Sequence, residues 1–214
     1  MTSPDHSKLI SASAKSVLAP IGCFQKGRSR IWIDDHQWWI AVIEFQPSSW
    51  SKGSYLNVGA CWLWNEKDYL SFDYGSRVQP FQEFDNIDQF TDIAKSLAET
   101  AKEEVLKLRC LFPTIDQASK HLKNKQSEDP WSIFHAAISS ALLGNIKYAT
   151  SQFEHLQQTK SEFLWESKLK ARAADLQLLL ENPTAFHGEI ISTIIRTRAL
   201  LKLPSLKQAN PFAP

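Results

Sequence analysis

Six of the chain's eight tryptophans fall between Trp32 and Trp64, in a stretch that alternates as paired β-strands do, and almost everything after it reads as helix. That asymmetry divides the chain into an aromatic sheet and a helical half. A strand puts successive side chains on opposite faces, so this stretch must build a sheet with a wide aromatic face that needs a cover. Arg30–Ile33 and Gln37–Phe45, on either side of the polar break Asp34-Asp35-His36, are expected to form a hairpin. Pro47–Gly53 reads as a loop, and Tyr55–Trp64 as a third strand with Leu56, Val58, Ala60, Trp62 and Trp64 on one face. A fourth strand is expected over Phe72–Val78, and such short connections imply an antiparallel meander. Trp38 and Trp39, as neighbours in a strand, should face opposite ways, so that one needs a second cover or lies exposed.

The helical part carries explicit start and stop signals. Ser3, Pro4 and Asp5 suit the cap, first position and first turn of an N-terminal helix that Pro20 and Gly22 stop. Phe90, Ile93, Ala94, Leu97, Ala101, Val105, Leu108 and Phe112 mark one face of a long helix that can cover the sheet, and Pro113 ends it. Thr114 and Gln117 open a shorter helix as a capping box. The charged segment Lys120–Glu128 is the expected boundary between an α+β domain, 1–125, and a helical extension, 126–214. Asp129-Pro130 and Asn182-Pro183 are cap-then-proline starts, giving helices over roughly 130–143, 145–158, 162–181 and 183–202. Leu164, Trp165, Leu169, Leu176 and Leu180 should face inward on the third of these, and Ile190, Ile191, Ile194, Ile195 and Leu201 on the fourth. The proline-bearing tail from Pro204 reads as a surface strap.

Bulk properties remove several function classes. Lys and Arg total 24 against 23 Asp and Glu, a net charge of +1 that gives no global attraction to nucleic acid or anionic membrane. The start Met-Thr-Ser-Pro-Asp-His shows no secretory pattern, and no stretch reaches the roughly 18 apolar residues of a membrane span, so a soluble cytoplasmic protein is expected. Cys23, Cys61 and Cys110 lack metal-ligand spacing and read as reduced thiols.

Few residues suggest chemistry. Asp34-Asp35-His36 is the most enzyme-like cluster, but it sits where a hairpin must turn, and adjacent strand residues point apart. His121, His135, His155 and His187 are scattered without HxxxH or HExxH spacing, so no metal is expected. No GxSxG elbow, Walker loop or GxGxxG occurs, and seven glycines leave little for phosphate-cradling loops, so no cofactor is expected. The run Lys26-Gly27-Arg28-Ser29-Arg30 beside an aromatic strand could serve single-stranded nucleic acid, although Asp34, Asp35 and Glu44 lie nearby and argue for a solvated strand entry. The basic run Arg196–Lys207 suits a helix C-terminus.

Two segments resemble known patterns. Ala141-Leu142-Leu143-Gly144-Asn145-Ile146-Lys147-Tyr148-Ala149, followed by Phe153, looks like one tetratricopeptide-type helical hairpin, in a single copy. Leu18-Ala19-Pro20-Ile21-Gly22-Cys23-Phe24-Gln25-Lys26-Gly27-Arg28, then Val42–Ser48, then Tyr55-Leu56-Asn57-Val58-Gly59, with Tyr74–Val78 as an arginine-bearing fourth strand, follow one another in a distinctive order. Over roughly the first 120 residues this order resembles the bacterial family known as domain of unknown function 4304, with Cys23 a departure in its glycine turn. The resemblance implies an α+β domain and supplies no catalytic residues.

These readings combine into an α+β fold. An antiparallel four-stranded sheet packs on helices and is followed by a C-terminal helical bundle. The expected function is non-enzymatic binding of a macromolecule, a protein of immunity or antitoxin type by analogy, through Trp38, Trp50, Tyr74 and Arg77 with Arg28 and Arg30 at the rim. The competing expectations are an enzyme using Glu44, Asp73, Tyr74 and Arg77 in a pocket between sheet and bundle, and a single-strand nucleic-acid binder.

Overall fold

Alternating apolar residues from Ile31 to Trp62 make a continuous antiparallel ladder, and the two-residue period holds through most of it. The computed structural model describes residues 5–124 and 127–213. Among them are seven α-helices and one five-stranded antiparallel sheet of order β1-β2-β3-β4-β5, an α+β architecture. The strands are β1 (Phe24–Gln25), β2 (Ile31–Asp35), β3 (Trp39–Gln46), β4 (Gly53–Trp62) and β5 (Tyr74–Glu83). The fifth strand beyond the expected four is β1, whose two residues are too few to display a period. The chain clusters into two compact units, Met1–Leu63 with Lys67–Cys110, and Trp64–Glu66 with Leu111–Pro214. The division therefore falls ahead of position 125, and a short piece of the β4–β5 connection goes with the helices.

In the first unit the register sorts the sheet into two faces. Asp34, Ala41, Ala60 and Tyr74 form one cross-strand row, and Ile31, Glu44, Asn57 and Arg77, three rows along, form another on the opposite face. The first face carries Trp32, Ile43, Phe45, Leu56, Val58 and Trp62, all buried. Helix α2 (Ile87–Leu111) belongs to that face, because its last turn delivers Arg109 to Asp34. Asn86 caps α2 by accepting from the Gln89 amide at 2.9 Å, and its buried stripe of Phe90, Ala94, Leu97, Ala101, Val105 and Leu108 follows the expected spacing. Helix α1 is described from Asp5 to Leu18, so the Ser3–Pro4 start signal lies outside the described residues. His6 of α1 packs against Phe84 and Phe90.

The hairpin turn corrects the expectation about Trp38 and Trp39. Asp34 and Asp35 are strand residues paired with Ala41 and Ile40, and the turn falls later, with Gln37 at φ 69°. Trp38 thus lies outside the strand alternation. It stacks on Trp62 at 5.7 Å and 5°, and Trp39 leans on the same Trp62 at 6.2 Å, so both indoles gather around one ring. Both are buried.

Strand β5 leaves the ladder's regularity. Its register shifts between Ser54 and Leu56 and again between Leu56 and Asn57. At its start, Gly75 takes φ +106° and faces Gly59 so closely that a Cβ on it would lie 2.5 Å from the Val58 carbonyl oxygen. Only glycine fits that approach.

The second unit holds α3 (Ile115–Asn124), α4 (Pro130–Leu142), α5 (Ile146–Gln158), α6 (Leu164–Leu178) and α7 (Pro183–Leu200). Asp129 caps α4 through the Ser132 amide at 2.9 Å, and Asn182 caps α7 through the Ala185 amide at 3.1 Å, each followed by proline. Gly144, at φ +74°, turns α4 into α5, and Ala149 and Phe153 bury in the seam as the hairpin reading expects. Trp64 is not part of β4's aromatic row. Its indole donates to His135 Nδ1 at 3.0 Å inside the helical unit, and Glu66 pairs with Arg196. Two expected inward faces are revised. Leu164 is 73% exposed and Trp165 stacks on Trp131 at 5.8 Å near the surface, because both occupy the first turn of α6. On α7 the buried stripe runs through Ile190, Thr193, Ile194, Thr197 and Arg198, leaving Ile195 a step off it and exposed. Arg198 donates to the Pro204 carbonyl, which straps the tail down.

Two glycine substitutions test this account in opposite directions. Gly75→Ala should lower the urea-unfolding free energy by about 2 kcal/mol, through a left-handed backbone and a blocked contact. Gly188→Ala, at an exposed position inside α7 with nothing within 4 Å of a Cβ, should raise it by about 0.5–1 kcal/mol.

Candidate protein-recognition surface

On the face opposite α2, the half of β3–β4–β5 nearest the 47–52 loop is polar and aromatic. Glu44 and Gln46 on β3 face Asn57 and Tyr55 on β4, and Arg77 on β5 completes the row. The Asn57 amide donates at 2.9 Å to both Glu44 Oε2 and Gln46 Oε1, while its own oxygen accepts from Arg77 Nε at 3.3 Å. Arg77 also donates to Gln46 Oε1 at 2.9 Å and lies over the Tyr55 ring, 4.0 Å from its centroid. Tyr55 in turn touches Phe81. These interlocked hydrogen bonds and the cation–π contact fix side chains that would otherwise be free at a surface. The arrangement presents donors, acceptors and aromatic edges together.

The adjoining loop presents Trp50. Ser48 Oγ accepts from the amides of Trp50 at 3.1 Å and Ser51 at 3.4 Å, and the Lys52 carbonyl accepts from Phe84 at 2.9 Å. The loop is therefore tied at both ends, and its indole is 94% exposed.

The other expected site residues scatter. Trp38 is buried at 4% exposure in the tryptophan cluster, so its surface is spent on packing. Tyr74 is half-buried and lies in the Asp34 row, on the opposite face from Arg77. Arg28 is exposed, whereas Arg30 is half-buried and donates to the Ser7 hydroxyl and to the Gly53 carbonyl. The surface instead recruits Gln46, Asn57, Tyr55 and Phe81. A readable trace of them existed: Glu44 and Gln46, then Tyr55 and Asn57, place polar groups two apart in otherwise apolar strands.

The enzyme-like residues are engaged in holding the fold. Asp73 Oδ2 accepts from the Trp62 amide at 2.7 Å and from Lys67 at 2.8 Å, and Lys67 also donates to Ser71 at 2.7 Å. Burial works against the Lys67 ammonium, but Asp73 beside it raises its pKa, so it stays charged and cannot act as a base for Ser71. Glu44, Asp73, Tyr74 and Arg77 do not converge.

Asp34 and His36, two apart, do meet, with His36 Nε2 2.6 Å from Asp34 Oδ2 and the imidazole stacked on Trp39 at 4.3 Å. Arg109 donates to both Asp34 oxygens at 2.8 Å and to the Ile21 carbonyl at 2.6 Å. Burial pushes the Asp34 carboxyl up, but the hydrogen bonds from His36 and Arg109 outweigh it and hold it down to about 2. Nearby Cys23 is pushed up to about 12, first by burial and then by Asp34, so it stays a thiol and supplies no nucleophile. This cluster clamps β2, the turn after α1 and the end of α2. Among the described residues no group of three or more His, Cys, Asp or Glu is placed to hold a metal ion, and no helix is long and apolar enough to cross a membrane.

No family model, curated protein or solved structure matches the chain.

The Asp34 clamp generates a pH test. Its carboxyl has a folded pKa below the unfolded value, so its stabilisation is fully present above about pH 4 and is lost as pH falls towards about 2. Asp34→Asn should cost about 1–2 kcal/mol at pH 7 in urea unfolding and flatten the acid limb between about pH 4 and 2. An acid limb of unchanged slope would contradict the assignment.

Proposed function

We propose that this chain is a non-enzymatic protein that binds another protein, through the sheet end formed by Trp50, Tyr55, Arg77 and their neighbours. The observation that carries this reading is Trp50. An indole held 94% in water by a hydrogen-bonded loop forgoes about 2 kcal/mol of burial that a partner's pocket would return. Fixing the loop beforehand lowers the ordering cost of binding, and tryptophan and arginine are the residue types that dominate binding hot spots. Arg77 stacked on Tyr55, with Gln46 and Glu44 beside it, supplies a polar rim to that anchor. The enzyme reading is weaker, because Asp34 and Asp73 are paired with Arg109 and Lys67 and the buried Cys23 thiol is pushed up to about 12.

The proposed resemblance of the first part of the chain to the domain of unknown function 4304 family is compatible with this reading and adds no catalytic residue to it. Pairing of a partner strand onto β5 is disfavoured as the binding mode, since Pro80 and two register shifts interrupt that edge. Recognition is therefore assigned to side chains.

The test is affinity capture from the native host with quantitative mass spectrometry, using the full chain as bait beside Trp50→Ala and Arg77→Ala. Trp50→Ala should cost about 2 kcal/mol, roughly thirtyfold in affinity, and deplete a stoichiometric partner while leaving the circular dichroism unchanged. Repeated recovery of the bait alone, or a partner retained equally by both variants, would overturn the proposal.

A further inference from the structure

A hollow of about 500 Å³ lies among α3, α4 and α5, wholly within the helical unit. That size falls in the range of about 300–1,000 Å³ typical of small-ligand sites. Its floor is apolar: Leu122, Ile133 and Ala136 are 7%, 2% and 3% exposed. Its walls are polar, and their charges are unevenly satisfied.

Lys123, in the last turn of α3, is half-buried, and its ammonium sits 4.9 Å from the centroid of the Tyr148 ring. No carboxylate among the described residues pairs with it. The one carboxylate lining the hollow, Glu128, is drawn to His155 at 3.2 Å and its side chain is 88% exposed. Tyr148 is itself half-buried, and burial raises its hydroxyl's pKa, so that group remains a neutral donor at physiological pH. Gln152 lines the same space. The hollow therefore combines an apolar floor with a polar wall in which Lys123 has no carboxylate partner among the described residues.

We propose that this hollow binds a small monocarboxylate, with its apolar body on Leu122, Ile133 and Ala136 and its carboxylate on Lys123 and Tyr148. A cationic ligand would meet Lys123 at close range, and a neutral one would leave it without an anion in a partly desolvated place. A dianionic phosphate would seek arginine forks or several cations, whereas among the described residues the wall of this site offers one lysine point charge. The ring beneath the ammonium holds it in position before the ligand arrives. This site is built from residues of the helical unit and the Trp50 surface from residues of the first, so either can fail without the other.

The experiment compares three probes with the same body, 4-phenylbutyrate, 4-phenylbutan-1-ol and 4-phenylbutylamine. Each is titrated into the full chain with amide shifts recorded by NMR. The acid should bind about tenfold tighter than the alcohol and the amine, as one charge-assisted hydrogen bond implies. Its shifts should centre on Ile133, Tyr148 and Gln152. Lys123→Met should remove the acid's advantage and leave the alcohol's affinity where it was, and Gln152→Trp should exclude all three by filling the mouth. Equal binding of the three wild-type complexes, tightest binding of the amine, an acid preference that survives Lys123→Met, or no binding at millimolar acid would each overturn the proposal.

Discussion

The register of β3 against β4 is the constraint on which the first unit depends. Trp39 opposite Trp62 at one end and Gln46 opposite Tyr55 at the other leave no freedom in between. A slip by one residue would move every side chain of β3 to the other face, bringing Glu44 and Gln46 under α2 and Ile43 and Phe45 into the polar row. The tryptophan cluster makes that slip costly. Trp38, Trp39 and Trp62 share one packed site, and such aromatic contacts add about 0.5–1.5 kcal/mol each beyond the area they bury. The aromatic surplus of the chain is thus chiefly a device for locking the ladder.

With the register locked, charge is distributed in a consistent way. Asp34 and Lys67 are buried charges of the first unit, paired with Arg109 at the end of α2 and with Asp73 in the same β4–β5 connection. Breaking such pairs leaves an uncompensated charge, so they are retained for the fold even where they resemble catalytic groups. Residues that face outward, Arg77 and Trp50 above all, are held by short polar contacts and not by burial. This separation favours recognition over reaction on the sheet.

Much of this was legible in the chain. The alternation from Ile31 to Phe45 and from Tyr55 to Trp62 announces β2, β3 and β4, and the pairs Asp129-Pro130 and Asn182-Pro183 mark the starts of α4 and α7. Three features were not legible, each for a physical reason. The positive φ of Gln37 shifts the hairpin turn past Asp35, so Asp34 and His36 become same-face neighbours able to meet. Two register shifts in β5 beyond Arg77 scramble the later part of its period, where Phe81 comes to Tyr55. On α7, Thr193, Thr197 and Arg198 take buried positions that hydrophobicity alone assigns to Ile195. Of the surface residues, Trp50 and Arg77 could be anticipated as exposed aromatic and cationic groups. Asn57 shows only as a polar position two from Tyr55, since its role comes from partners on two other strands.

Trp64 has a consequence for how the chain can be divided. The helical unit's interior contains an indole supplied from 71 positions ahead of its histidine partner. A fragment cut to begin at Leu111 would carry every helix from α3 onward and still lack a piece of its own core. During synthesis, Trp64 emerges well before His135 exists, so completion of the helical unit must wait for a long loop to close. The units are interleaved along the chain, so no single length of sequence carries the helical unit without also carrying Lys67–Cys110 of the first.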